Sequence, residues 1–436
     1  MSVAAVRFRS TRGQAPPVGL ADALRRGLAE DGGLYVPEAF PRLAPADFGT
    51  AESLPAVAAT LLAPFFRGDV LEAELGAITT EAFDFPVPLK SLPAEHDLSV
   101  LELFHGPTAA FKDFGARFLA ASLARLNPSV DRPLTILVAT SGDTGGAVAG
   151  AFHGRPGTQV VVLFPKGRVS PRQEAQLTCW DGNVQALSVE GSFDDCQRLV
   201  KAAFTNEALK SRFELSSANS INLGRLLPQA AYYAQSSLAV FRRTGRPANY
   251  VIPSGNLGNA LACIWARTVG LPIGHVHLAH NRNRTVPDYF AAGDWQPRAS
   301  VATIASAMDV GNPSNMERLR DLVPDLGELR RFVSTDWVDD PVIAERIKTD
   351  YRRFGEVWCP HTAVGAEAYE RLPAEVRAAG PWVLVGTAHP AKFPETVEPL
   401  LGLTLPIPPA LEALLALPRR FRVIEPAEAA LTQALL

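Results

Sequence analysis

The sequence predicts an α/β fold: two open, twisted, mostly parallel sheets with flanking helices, preceded by a partly helical N-terminal segment. The first observation is alternation, because short apolar runs rich in β-branched residues take turns with helical stretches from about residue 134 onward. The second is an internal echo, in which VATSGDTGGAVAGAF and VIPSGNLGNALACIW share the form strand, Ser-Gly-x-x-Gly, helix. The third is size: 436 residues, 47% of them hydrophobic, bury a large core and make about two or three compact units.

Composition also excludes function classes. A formal net charge of −3, a pI near 6.3 and the absence of any Lys/Arg-rich run leave no basic field for nucleic acid. Cys179, Cys196, Cys263 and Cys359 show no CxxC spacing, so neither a zinc site nor a disulfide framework is expected and the chain reads as intracellular and reduced. MSVAAVRFRS has no apolar run of signal-peptide length, and no run of about 18 apolar residues occurs anywhere, so a cytoplasmic protein away from membranes is expected.

Residues 1–90 are expected to form the N-terminal segment. In ADALRRGLAEDGG the apolar Ala21, Leu24 and Leu28 predict an amphipathic helix closing on Gly32 and Gly33. TAESLPAVAATLLAPFF and DVLEAELGAITTEAF predict two more helices, and FPVPL is extended because each proline biases its predecessor away from helix. Residues 91–240 are expected to form the smaller α/β domain. Its strands are LTILVAT, QVVVLFP and VQALSVEG, and its helices SGDTGGAVAGAF, SPRQEAQLTCW and SFDDCQRLVKAAF, with Ser192 as N-cap and Asp194 and Asp195 in the first turn. Residues 241–436 are expected to form the larger domain, with strands NYVIP, GHVHLAH and PWVLVGT and a leucine-rich tail that packs. With no long linker, the two units share a rigid interface.

Two features carry chemistry, and a third is tempting but weaker. Lys112 is one of only seven lysines and stands between Phe111 and Phe114 at the mouth of a helix. An ammonium among apolar rings is costly to desolvate, so its pKa falls and its neutral amine becomes available to a carbonyl. The same pattern also fits a lysine whose stem lies on apolar surface while its head reaches water. The two glycine loops are the second feature: each points amide N–H groups, reinforced by a helix dipole, at a pocket suited to an anion. Neither loop is GxGxxG or GxxxxGK[ST], so dinucleotide and nucleotide-triphosphate fingerprints are absent, which disfavours a nicotinamide oxidoreductase. The third is HVHLAH, whose His275 and His277 share one strand face without a nearby carboxylate or cysteine, so no metal is expected.

The string FHGPTAAFKDFGARF (104–118) resembles the pyridoxal-phosphate lysine segment of threonine synthases. STRG, LAEDGGLYVPE, TSGDTGGA, SANSINLGRLLPQ, PSGNLGN, SAMDVGNPSN, PHTAVG and GTAHPAKFPE are similar to further segments of that family, in the same order from Ser10 almost to the C-terminal region. The resemblance implies pyridoxal-enzyme fold type II, a Schiff-base link between pyridoxal 5'-phosphate and Lys112, and a lyase that turns O-phospho-L-homoserine and water into L-threonine and phosphate. It implies that Gly255, Asn256, Leu257, Gly258 and Asn259, with Ser254, cradle the cofactor phosphate. Asp143 is carried over as a cofactor residue, and Ser141, Gly142 and Thr144 as substrate residues. Thr387 matches the hydroxyl placed against the pyridine nitrogen. Asn222, Arg225 and Lys392 are carried over to the substrate side; Arg225 also reads as a salt-bridge partner, and His389 and Lys392 also as surface residues. Ser10, Thr11 and Arg12 fall at the edge of the active site with no role assigned. One departure is Asn259, where relatives often carry aspartate; it changes local charge by one unit and leaves the amide cradle in place.

The rival readings are another lyase using the same cofactor, such as a threonine or serine dehydratase, and a catalytically silent metabolite binder on this fold. A monomer or homodimer is expected, with a small-molecule substrate as the partner.

Overall fold

A computed structural model describes residues 5–92, 97–126 and 133–436; the first four residues of the expected N-terminal segment lie outside the described residues. Near the start, β1 (Phe8–Ser10) and β2 (Tyr35–Pro37) pair antiparallel. Then come β3 (Leu89–Ser91) and β4 (Leu98–Glu102), followed by the run β5 (Leu134–Ala139), β6 (Thr158–Pro165), β7 (Val184–Val189) and β8 (Glu214–Ser217). A second run is β9 (Ala248–Pro253), β10 (Ile273–His280), β11 (Val333–Trp337) and β12 (Trp382–Gly386), and β13 (Arg422–Ile424) comes near the end.

The strands form a five-stranded sheet of order β13-β7-β6-β5-β8 and a six-stranded sheet of order β11-β10-β9-β12-β4-β3. Every pairing in the first sheet is parallel, and in the second only β3 runs antiparallel. All residues of β5 and of β12 are buried, as expected of strands covered by helices on both faces.

The sheets do not follow the expected boundaries. β4 precedes the run β5–β8, yet it joins β12 in the six-stranded sheet, with Leu98 opposite Trp382 and Glu102 opposite Gly386. β13 crosses the other way and pairs with β7, so the tail completes the smaller sheet as well as packing. Strand composition specifies burial and not partner, and both crossings are long-range choices made by packing. The first helix also differs: it spans Leu20–Arg26 and stops at Gly27, which takes φ 71°, well before Gly32. Glycine at this positive-φ cap ends the helix, and a Cβ there would lie 3.0 Å from the Asn222 side chain.

The helix Lys112–Arg125 is anchored by its aromatic residues. Phe114 is fully buried against Phe83, Phe85 and Tyr232, with ring centroids 6.0, 4.8 and 5.0 Å away, and Phe118 packs on Phe66 and Phe83. Removing such a ring costs about 3–5 kcal/mol, so this end of the helix is rigid. Ser141, Ser254 and Thr387 come just after the carboxyl ends of the parallel strands β5, β9 and β12, and Lys112 stands at the end of the loop that follows β4. This is where open α/β sheets place their ligands.

Candidate active site

The lysine loop is built by a buried carboxylate. Asp113 accepts from the Thr108 amide at 2.9 Å and the Thr108 hydroxyl at 2.7 Å, and a Cβ at Gly106 would come within 2.5 Å of it. The following turn takes Ala109 into the left-handed region at φ 54°, a costly conformation for a residue with a side chain. The loop is then sewn to the end of β12: Phe111 N–H donates to the Thr387 carbonyl at 2.9 Å, and His389 N–H to the Ala109 carbonyl at 3.0 Å. Lys112 opens the helix, with Nζ 4.2 Å from the Phe111 ring centroid. Burial, reinforced by the Arg225 guanidinium and opposed by Asp143, pulls its pKa from 10.5 to about 8.

The first glycine loop follows β5. The Thr140 hydroxyl accepts from the amides of Gly142 and Gly145, each at 2.9 Å, and Gly142 adopts φ 138° with its α-hydrogen facing Gln173. Asp143 begins the helix Asp143–Phe152 and is buried. Although burial opposes its ionisation, Lys392 and His361 hold its carboxyl below the usual carboxylate range. Lys392 Nζ lies 2.9 Å from Asp143 Oδ1 and donates to the Thr108 carbonyl at 2.7 Å.

The second glycine loop follows β9. Leu257 is left-handed at φ 62° and leads into the helix Gly258–Val269. A Cβ at Gly255 would lie 2.9 Å from Met308 Cα, so only glycine lets this backbone pass the Ser306–Met308 turn. Asn256 bridges outward, donating to the Ser220 hydroxyl and accepting from Ser314 N–H. Asn315 Nδ2 donates to the Asn256 carbonyl at 3.1 Å.

These elements enclose a cavity of about 1300 Å³. Of the residues singled out from sequence, Lys112, Ser141, Asp143, Thr144, Arg225, Gly255, Asn256, Leu257, Gly258, Asn259 and Thr387 line it, as do Thr11 and Arg12. Three do not. Gly142 is buried against the Gln173 side chain. Asn222 is consumed by structure: its side chain donates to the Leu24 and Ser217 carbonyls and accepts from Gly224 N–H. Lys392 is fully buried on Asp143 and Thr108, where it joins the β12 end to both the lysine loop and the first glycine loop, so it is not a surface residue. Arg225 is 2% exposed, and among the described residues no carboxylate pairs with it. Burial brings its pKa down to about 10. On β10, His275 and His277 both hydrogen-bond the Ser334 hydroxyl.

The cavity fits pyridoxal phosphate on its own evidence. Arg225 Nε, Asn259 Nδ2, His361 Nδ1 and Thr387 Oγ1 are buried polar atoms without a hydrogen-bond partner, and all four residues line the cavity. Unmet buried polar groups are costly, and their convergence on one cavity is the mark of a polar ligand. A neutral hydroxyl at Thr387, an amine at Lys112 and an amide-bearing loop at Gly255 are groups of the kinds that could hold a pyridine nitrogen, an aldehyde and a phosphate. His361 went unremarked in sequence; its signal was its place in PHTAVG, a motif that gives no role residue by residue.

Comparison with known proteins decides the family. The model described as "Pyridoxal-phosphate dependent enzyme" matches residues 83–388, and models for the threonine synthase N terminus and C-terminal region match 7–83 and 362–435. Threonine synthase of Haemophilus influenzae is 40% identical over 397 residues, 91% of each chain. The chain belongs to the threonine synthase family. Threonine synthase of Escherichia coli is 39% identical over 403 residues, 92% of each chain. Its crystal structure superposes with a TM-score of 0.89 at 36% identity, covering 98% of this chain and 99% of that one. A pyridoxal-phosphate-bound threonine synthase from Brucella melitensis gives a TM-score of 0.89 at 34% identity, covering 99% of both. The protein is therefore a pyridoxal-phosphate-dependent lyase of the fold type II architecture.

Proposed function

We infer that the chain converts O-phospho-L-homoserine and water to L-threonine and phosphate, with pyridoxal phosphate held on Lys112. The observation that carries this reading is Lys112 itself, an amine of depressed pKa lining one cavity with two amide-bearing loops. When bound, the cofactor supplies a carbonyl carbon that joins the substrate amine and an electron-withdrawing ring. The chain's residues do the rest. The amides of Gly255, Asn256 and Leu257 hold the cofactor phosphate at the start of the helix Gly258–Val269. Thr387 Oγ1 would serve the ring nitrogen, and a hydroxyl there would not hold that nitrogen protonated as a carboxylate would. Ser141 and Thr144 take the substrate carboxylate with their hydroxyls and amides. Lys112 Nζ would take the proton at the substrate Cα and then serve at Cβ. Arg225 keeps that amine from staying protonated and faces the anionic substrate.

Further readings are that the chain acts in the cytoplasm, as a monomer or homodimer, without nucleic acid; the net charge of −3 supports the last. Among the described residues no helix is long and apolar enough to cross a membrane. The deciding experiment supplies O-phospho-L-homoserine to the purified protein and measures phosphate, threonine and ammonia. Phosphate and threonine in equal amounts are expected. Ammonia release from threonine or serine, with no phosphate formed, would show a dehydratase instead.

A further inference from the structure

Of the four cavity residues with unpartnered buried atoms, Arg225, Asn259 and Thr387 were singled out by sequence and His361 was not. His361 is 3% exposed and stands in the first turn of the helix Pro360–Glu370, which packs on β9, β10 and β12. Its ring lies against Phe393, with centroids 4.8 Å apart. Ala307 N–H donates to Nε2 at 3.0 Å, so that nitrogen is bare and the proton of the neutral ring sits on Nδ1. Nδ1 is shut from solvent and has no partner. The charged groups around the ring are Asp143, Lys392 and Lys112; burial leads in pulling the imidazole down to about 4, Asp143 opposes it, and the two lysines add to it. The ring is thus a neutral donor near pH 7, in a place where a further cation would face two ammonium groups.

We propose that His361 is a further ligand-binding residue of this site, offering its Nδ1–H to an anionic oxygen of the bound cofactor or of the amino-acid substrate. This rests on the reading that both occupy the cavity. The competing role is purely structural: through Ala307 the ring steadies the Ser306–Met308 turn, against which Gly255 packs.

Two substitutions divide the ring's two jobs. Asparagine sets its amide nitrogen near the position of Nδ1 and keeps the donor. Glutamine sets its amide oxygen near the position of Nε2 and keeps only the acceptor for Ala307. Cofactor-stripped full-length protein is titrated with pyridoxal phosphate, and the KM for O-phospho-L-homoserine is measured after reloading. His361→Gln is expected to weaken one of these about tenfold or more, the loss of one hydrogen bond to a charged acceptor, while His361→Asn stays within about threefold of wild type. A weaker cofactor titration assigns the oxygen to pyridoxal phosphate; a raised KM alone assigns it to the substrate. Any other ordering of the two variants overturns the proposal, and an impaired His361→Asn beside a normal His361→Gln leaves the Ala307 contact as the whole role. Should either variant fail to fold, 15N-histidine spectra of the wild type decide. The Nδ1 proton signal must shift on adding pyridoxal phosphate or substrate, and a signal that stays fixed with both overturns the proposal. Failure of the parent reading looks different: wild-type protein would then capture no pyridoxal phosphate at all.

Discussion

The two Ser-Gly-x-x-Gly loops leave the same kind of strand for the same kind of helix, yet they differ where their sequences differ. Thr140 before the first loop has Pro253 as its counterpart, Asp143 has Asn256, and Thr144 has Leu257. The Thr140 hydroxyl takes the amides of Gly142 and Gly145, so the first loop spends part of its cradle on itself. Pro253 has no hydroxyl to offer, and among the described residues no protein acceptor takes the amides of Gly255, Asn256 or Leu257. The first loop also carries a buried ionised carboxylate, balanced by Lys392, whereas the second carries none. Its open amides require Leu257 to sit at φ 62°, which costs about 1–2 kcal/mol. On the proposed assignment, a dianionic phosphate goes to the second loop. A single carboxylate, met by the hydroxyls of Ser141 and Thr144, suits the first. A shared Ser-Gly frame aims amides at a pocket; the residues between and just before the glycines select the anion.

The largest expected effect comes from removing what the loops share. Lys112→Ala should lower turnover by at least about a thousandfold, because both the covalent anchor and the base are lost. Mass spectrometry after borohydride treatment should find the cofactor adduct on wild type and none on the variant. An adduct at another lysine, with turnover retained, would remove Lys112 from the site.

The next two substitutions test the loops against each other. Gly255→Asp puts a Cβ 2.9 Å from Met308 Cα and a carboxylate among the open amides, so cofactor affinity should fall about a hundredfold or more in fluorescence titrations. Ser141→Ala removes one hydrogen bond to a charged group, about 1.5–3 kcal/mol, so KM should rise about tenfold or more while cofactor affinity holds. If Ser141→Ala weakened cofactor binding and Gly255→Asp raised only KM, the two loops would exchange ligands.

Much of this was legible in sequence because it is local. The runs LTILVAT, QVVVLFP, NYVIP and PWVLVGT coincide with β5, β6, β9 and β12 to within about a residue at each end, since a buried parallel strand needs a continuous apolar run. Ser192 caps its helix in a reciprocal box with Asp195, as its position before two acids suggested. What was not legible is long-range. Nothing local to β4 says that it pairs with β12, and nothing local to Lys392 says that its ammonium is buried on Asp143 instead of reaching solvent. Asn222 looked like a site residue because it lies in a motif with Arg225. Its three hydrogen bonds show that a motif also records what holds a loop in shape.

The smallest expected effect, and the finest test of the contrast, concerns the charge that each loop lends Lys112. Asp143 in the first loop favours the ammonium, Arg225 and burial oppose it, and no group of the second loop contributes. In cofactor-free protein the amine should be half neutral near pH 8 instead of 10.5. Only the neutral amine attacks an aldehyde, so the stopped-flow rate of pyridoxal-phosphate capture should climb about tenfold per pH unit below 8 and level off above it. Arg225→Met removes a repelling cation and should move that plateau to higher pH, whereas Asp143→Asn should move it lower. The sign for stability follows from the same shift. Between pH 8 and 10.5 the unfolded chain holds a proton on this lysine that the folded chain has released. Cofactor-free wild type should therefore gain stability with rising pH across that window relative to Lys112→Met, as read by denaturant midpoints at several pH values. A capture profile unmoved by Arg225→Met would mean that burial alone sets the amine, with Arg225 free to act only on the substrate.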